Sequence, residues 1–131
     1  MYSFELAFCD NEGHPFQVKV KTMKTTSLDQ TKKERGHCGI IRKMEPEGPS
    51  EIIHLRVEKA EKHYHKISTE YYYVLSGRGK VILDEEIYPI QEGDLVKINP
   101  GVRHQALEEP DVPLEILVIA TPPAMGDNYI V

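Results

Sequence analysis

Apolar residues recur at every second position along most of the chain, in short runs separated by Gly, Pro, Asp and Asn. That spacing is the signature of half-buried antiparallel strands, whose side chains alternate between two faces. It predicts strands over 3–8, 16–23, 38–44, 51–57, 70–75, 80–83, 87–90, 94–98, 104–107 and 114–120. Breakers fall between them at 46–49, 76–79, 84–86, 91–93, 99–101 and 109–111, each rich in residues that favour turns. One helical stretch is predicted, 28–35, with Ser27 as its cap, Gln30 as the capping-box partner and Gly36 as its stop. Leu28 is its only large apolar residue, so it is expected to be a turn or two at most. Many short strands at close spacing read as an all-β barrel or sandwich.

The last long strand sharpens this picture. Its Leu114, Ile116, Val118 and Ala120 set is expected to face the core, yet Leu117 and Ile119 on the opposite face are apolar too. A strand dry on both faces is covered twice, by the core and by further strands or a partner subunit. Tyr71 and Tyr73 share that second face, and 16–23 alternates Val18 and Val20 with Lys19 and Lys21, as an edge strand with one dry face does. A homodimer formed by exchange of N-terminal strands is expected, the alternative being that the chain's own N-terminal strands cover this face without a partner.

Size and charge narrow the class. A chain of 131 residues is one domain with a core of its own. Sixteen Lys and Arg against twenty-one Asp and Glu give a net charge of -5, which disfavours nucleic acid and anionic membranes as partners. The segment 17–43 is locally basic, with eight Lys or Arg against Asp29 and Glu34, but lacks interleaved aromatics and reads as a solvated face. No basic N-terminal cluster and no long apolar run are present, so neither a secretory signal nor a membrane span is expected. Cys9 and Cys38 have no redox or zinc spacing; both are expected to be free thiols in a cytoplasmic protein.

Chemistry concentrates in four residues. His63 and His65 are two apart, so an extended segment projects both imidazoles to one side. Glu70 follows after room for a shift in the chain, and His104 arrives from another strand just after the turn Asn99, Pro100, Gly101. Three neutral imidazoles and a carboxylate suit a divalent transition metal such as iron, manganese, zinc or nickel, with coordination positions left for a small-molecule ligand. One ion per chain is expected. Tyr72 shares a face with Glu70 and is a candidate to donate its hydroxyl to substrate; its alternative is a core aromatic. His54 is a second catalytic candidate if its strand turns it inward, and a surface or structural histidine otherwise. Arg103 is read as solvated and Cys38 as a buried, inert thiol.

These residues resemble two motifs of the cupin superfamily. His63, His65, Glu70 and Gly77 match the first, G-x5-H-x-H-x(3,4)-E-x6-G, and Gly93, Gly101 and His104 match the second, G-x5-P-x-G-x2-H-x3-N. Val57 replaces the first motif's opening glycine, Asn99 a proline and Glu108 the closing asparagine; none is a ligand position. The resemblance spans about 52–120 and implies a double-stranded β-helix, or jelly-roll, barrel with the metal inside one end. It implies one cupin domain over 1–131, with its barrel core at about 38–120, an N-terminal strand extension at 1–37 and a C-terminal tail at 121–131. It also implies a small-molecule enzyme, of dioxygenase or of sugar or keto-acid isomerase type, or else a non-catalytic module binding or sensing a sugar or carboxylate.

Overall fold

The computed structural model describes residues 2–23 and 25–131, the side chains of 1–6 and 18–24 lying outside that description. Strands follow one another almost without interruption. β1 (Tyr2–Cys9) and β2 (Pro15–Met23) pair into a two-stranded antiparallel sheet of their own. Then come β3 (Glu34–Gly36), β4 (Gly39–Glu45), β5 (Glu51–Val57), β6 (His63–Tyr64), β7 (Thr69–Ser76) and β8 (Arg78–Leu83). The series closes with β9 (Glu86–Gln91), β10 (Leu95–Ile98), β11 (His104–Glu108), β12 (Glu115–Thr121) and β13 (Tyr129–Ile130). One sheet has the order β10-β7-β12-β5-β4-β3 and the other β13-β6-β11-β8-β9. Neighbours are antiparallel throughout and sequence neighbours are often split between sheets, which makes the fold a jelly-roll barrel.

Period-two alternation places the core between the sheets. Leu55, Tyr72, Val74, Ile116 and Val118 of the larger sheet pack with Val81, Ile90 and Ala106 of the smaller in one buried cluster. Leu114, Ile116, Val118 and Ala120 are all buried, as their alternation predicts. On the outer face Tyr73 lies opposite both Leu95 and Leu117 and stays partly exposed. The valines of 16–23 on which the dry-edge reading rests lie outside the described residues.

Two stretches differ from the alternation pattern. The helix predicted over 28–35 is a single 3-10 turn, Leu28–Gln30, because exposed Leu28 gives it no apolar face to bury. Glu34 to Gly36 instead pair with β4, bringing the barrel sheet upstream of residue 38. The C-terminal tail likewise returns to the smaller sheet, where Tyr129 pairs with Tyr64 and Ile130 with His63. Both cysteines are free, Cys9 exposed and Cys38 buried.

Two glycines fix the turns that frame the site. Gly77, between β7 and β8, has φ +82° and so close a neighbour in the Pro113 carbonyl that a Cβ would lie 1.8 Å from its oxygen. No other residue fits there without moving backbone. Gly101 has φ +86° and donates its N–H to the His65 carbonyl at 2.6 Å, tying the turn before His104 to the strand end that carries His65.

Candidate metal centre

Four ligand-type side chains converge from three places in the barrel. β6 supplies His63, the segment just after it His65, β7 supplies Glu70 and β11 supplies His104. His104 pairs across the ladder with His63, and Glu70 sits between Ile98 and Ala120 on the inner face of the larger sheet. All four are buried, and one ligand atom from each lies within 4.8 Å of the others. The imidazole rings crowd together, His63 and His104 with centroids 4.2 Å apart and His65 and His104 5.1 Å apart.

The Nδ1 atoms settle which nitrogen faces the centre. His63 Nδ1 lies 3.0 Å from the Glu61 carbonyl, His65 Nδ1 3.0 Å from the Asp127 carbonyl and His104 Nδ1 2.8 Å from the Val102 carbonyl. A carbonyl only accepts, so each Nδ1 carries the proton and donates it. Each Nε2 is then left as a lone pair, the tautomer a metal ligand requires. His65 Nε2, Glu70 Oε1 and His104 Nε2 are buried without a hydrogen-bond partner. Orphaned buried polar atoms are costly in a native fold unless something else binds them. A divalent ion at their focus satisfies all of them, so the residues fit the group.

Charge follows the same geometry. Burial alone would raise the Glu70 carboxyl, but protons on the His104 and His65 nitrogens, 3.2 and 3.3 Å away, outweigh it in the metal-free site and hold Glu70 well below the usual carboxylate range; a bound ion would take the place of those protons. Burial, reinforced by neighbouring His104, drives the His63 imidazole down to about 3, so it is neutral at ordinary pH. For His65 burial pulls downward, yet the Glu70 carboxylate prevails and raises it.

A cavity of about 200 Å³ opens onto this cluster. Its flanks are apolar, with Ile41, Ile53, Leu55 and Val118, while His37, Lys43, Glu51 and Asn128 add polar groups around His63, Glu70 and Tyr72. Tyr72 is buried with its ring edge against His104; burial, and then the Glu70 charge, keep its phenol protonated far above the ordinary range. His54 is placed elsewhere. It is on the outer face of β5 beside Glu115 at 3.8 Å, because Leu55 and Val57 take the inward positions and alternation sends His54 out. It lines a separate outer cleft with Arg42, Arg56 and Glu115 rather than this cavity.

Three residues that sequence reasoning passed over belong to the site. His37 packs its ring edge-on to His63 at 4.3 Å, and burial lowers its pKa. Glu51 is buried on the inner face of β5, and burial raises its pKa against the opposing hydrogen bond from the Ala124 N–H. Alternation left Glu51 ambiguous, since it shares one register with Ile53 and Leu55 while Ile52 and His54 occupy the other. Asp127 accepts the backbone N–H groups of Lys66, Ile67 and Ser68 at 2.9 Å each, while its carbonyl holds His65. No spacing rule announces such a contact across 60 residues of chain.

His37, Cys38 and His63 form a second group of close ligand-type atoms. Burial, aided by the Glu70 and Glu61 charges, pushes the Cys38 thiol up to about 12. It is an inert thiol at neutral pH, and His63 Nδ1 is already committed to Glu61.

Jelly-roll sheets with a buried three-histidine, one-glutamate cluster at one end define a barrel whose interior could hold a metal ion. Residues 52–120 match the cupin domain family, more than half of the chain, and the chain belongs to that family. Protein MJ1618 of Methanocaldococcus jannaschii is 41% identical over 61 residues, which are 47% of this chain and 49% of that protein. The match thus spans about half the length of this curated relative. Among solved structures, the nucleoside dehydratase Pac13 from Streptomyces superposes with a TM-score of 0.71 at 21% identity, over 84% of this chain and 92% of its own. A sugar phosphate isomerase of the cupin superfamily from Silicibacter pomeroyi superposes with a TM-score of 0.66 at 20% identity, over 75% of each chain. These likenesses are of fold. Among the described residues no helix is long and apolar enough to cross a membrane.

Proposed function

We propose that this chain is a metal-dependent enzyme acting on a small polar molecule by proton transfer, as in an isomerisation or an elimination. One divalent transition metal, iron, manganese, zinc or nickel, would be held by His63, His65, Glu70 and His104 in each chain. The bound ion would supply Lewis acidity to a substrate oxygen at positions the protein leaves open. The observation that carries the reading is the cavity, where Glu51 and His37 stand alongside the quartet without belonging to it. Binding an ion needs neither of them; moving a proton on a bound molecule needs groups of this kind. Burial raises the Glu51 pKa, which moves it toward the range in which a carboxyl gives up and takes back a proton. Tyr72 would orient the substrate through its hydroxyl. The dehydratase and the isomerase among the fold neighbours carry out reactions that need no oxidant, in keeping with this choice.

The test is proton exchange. Metal-loaded protein in heavy water, offered keto acids and sugar phosphates, is expected to exchange or move hydrogen next to the carbonyl, followed by nuclear magnetic resonance, without taking up oxygen. Glu51→Gln is expected to slow this about a hundredfold while metal content holds. Oxygen uptake with substrate would instead make the protein a dioxygenase; saturable binding without either change would make it a ligand-binding module.

A homodimer is part of the same proposal. Among the described residues β1 and β2 pair only with each other, and a two-stranded sheet is marginal in water unless something covers it. Partly exposed Tyr73, Leu75 and Leu95 on the outer barrel face offer apolar surface for a second copy. Light scattering at micromolar concentration is expected to give the mass of two chains, and trimming residues 1–24 to give that of one.

A further inference from the structure

Lys43 stands where the barrel pattern calls for an apolar side chain. In β4 the inward positions run Gly39, Ile41, Lys43, and Lys43 pairs across the ladder with Ile53, itself a cavity-lining residue. The register slips between Lys43 and Glu45, a bulge of the kind that aims a side chain at the rim of a barrel. Among the described residues that line the cavity, Lys43 is the one lysine or arginine. Its ion pair with Glu34 is loose, 3.9 Å between two side chains that are each more than a third exposed. Such a pair contributes little and yields readily to a better partner.

We propose that the substrate of this site carries an anionic group, a carboxylate or a phosphate, which Lys43 receives at one end of the cavity while the oxygen to be activated lies against the His63, His65, Glu70 and His104 end. This deepens the metal-enzyme reading and rests on it for the second contact. The walls between the two ends are the apolar Ile41, Ile53, Leu55 and Val118, which suit a short carbon skeleton. Charge balance points the same way. A divalent ion exceeds the single charge of Glu70, and Lys43 adds a further positive charge. An uncharged ligand would shed water from Lys43 and return nothing for it. Glu51 lies in the same cavity, and the burial that raises its pKa works against a charge there that would repel an anion.

Titration calorimetry with three probes of one skeleton tests this: butyrate, with one anionic end, and succinate and phosphonopropionate, with two. On metal-loaded protein at least one dianion is expected to bind about ten- to a hundredfold more tightly than butyrate, the worth of one hydrogen-bonded charge contact. The tighter of the two tells carboxylate from phosphate. Lys43→Met is expected to abolish the preference, Lys43→Arg to keep most of it, and Lys62→Met, at a lysine outside the cavity, to leave it intact. Equal affinity for all three probes, no dianion binding at millimolar concentration, or a preference that survives Lys43→Met overturns the proposal. Metal content measured on the same samples separates the two readings. A Lys43-dependent preference in protein that holds no metal overturns the metal enzyme and keeps the anion site, whereas full metal without that dependence does the reverse.

Discussion

His104→Ala is expected to bring bound metal from about one ion per chain to background, and His65→Ala to do the same, while His14→Ala leaves metal content unchanged. His104 is fully buried and its Nε2 faces Glu70 Oε1 at 3.2 Å, so the variant loses one of the four ligand atoms at the focus of the cluster. Removing the buried ring also leaves a cavity, and truncating a buried ring costs about 3–5 kcal/mol. The metal-free variant is therefore expected to unfold at lower denaturant than metal-free wild type. A ligand that binds only the folded chain adds about 4 kcal/mol at a thousandfold excess over its dissociation constant. Wild type is thus expected to gain thermal stability on adding metal, and His104→Ala to gain none. Elemental analysis and melting curves with and without chelator check both. Equal metal retention in the His14, His65 and His104 variants overturns the ligand set.

The strands and the metal cluster were largely legible from sequence because both depend on local rules, whereas the jelly-roll topology came only from the motif resemblance, alternation by itself reading as a barrel or a sandwich. Two-residue spacing sends His63 and His65 the same way, and the positive φ that Gly77 and Gly101 supply shapes the turns on either side. Alternation also gave Ile116 and Val118 their inward face. It failed where a strand is apolar in both registers. In β5 Ile52 and Ile53 compete, so the sequence does not say whether His54 or its neighbours Ile53 and Leu55 look inward. It failed too where elements are very short, as in β3, β6 and β13, which have too few residues to show a period. Lys43 and Glu51 were obscured for a different reason. A charged residue in a strand is read as solvent-facing, and only the ladder register reveals that these two face a cavity. Local patterns describe how a barrel buries its apolar residues; polar residues placed inside it for chemistry break those patterns.

Asp127→Ala is expected to be among the most damaging substitutions outside the ligands themselves, although Asp127 lies in what the sequence presents as a tail. Its carboxylate accepts three consecutive backbone N–H groups, from Lys66, Ile67 and Ser68, and so shapes the chain between His65 and Glu70. Those bonds are charge-assisted, and their donors lie in a segment packed against the site. Truncation leaves three N–H groups to find water or remain unpaired, at a cost of about 3 kcal/mol or more. The Asp127 carbonyl, moreover, holds His65 Nδ1, so a displaced tail frees that imidazole to rotate and to change tautomer. Loss of such an outer contact typically weakens metal binding about ten- to a hundredfold. Asp127→Asn keeps one carboxyl-type oxygen and the carbonyl, and is expected to lose less of both quantities. Denaturant unfolding of metal-free protein and competition with a chelator of known affinity measure the two effects separately. A variant that loses stability but binds metal as wild type would show that the tail braces the loop without orienting His65. A variant unchanged in both would remove the tail from the site.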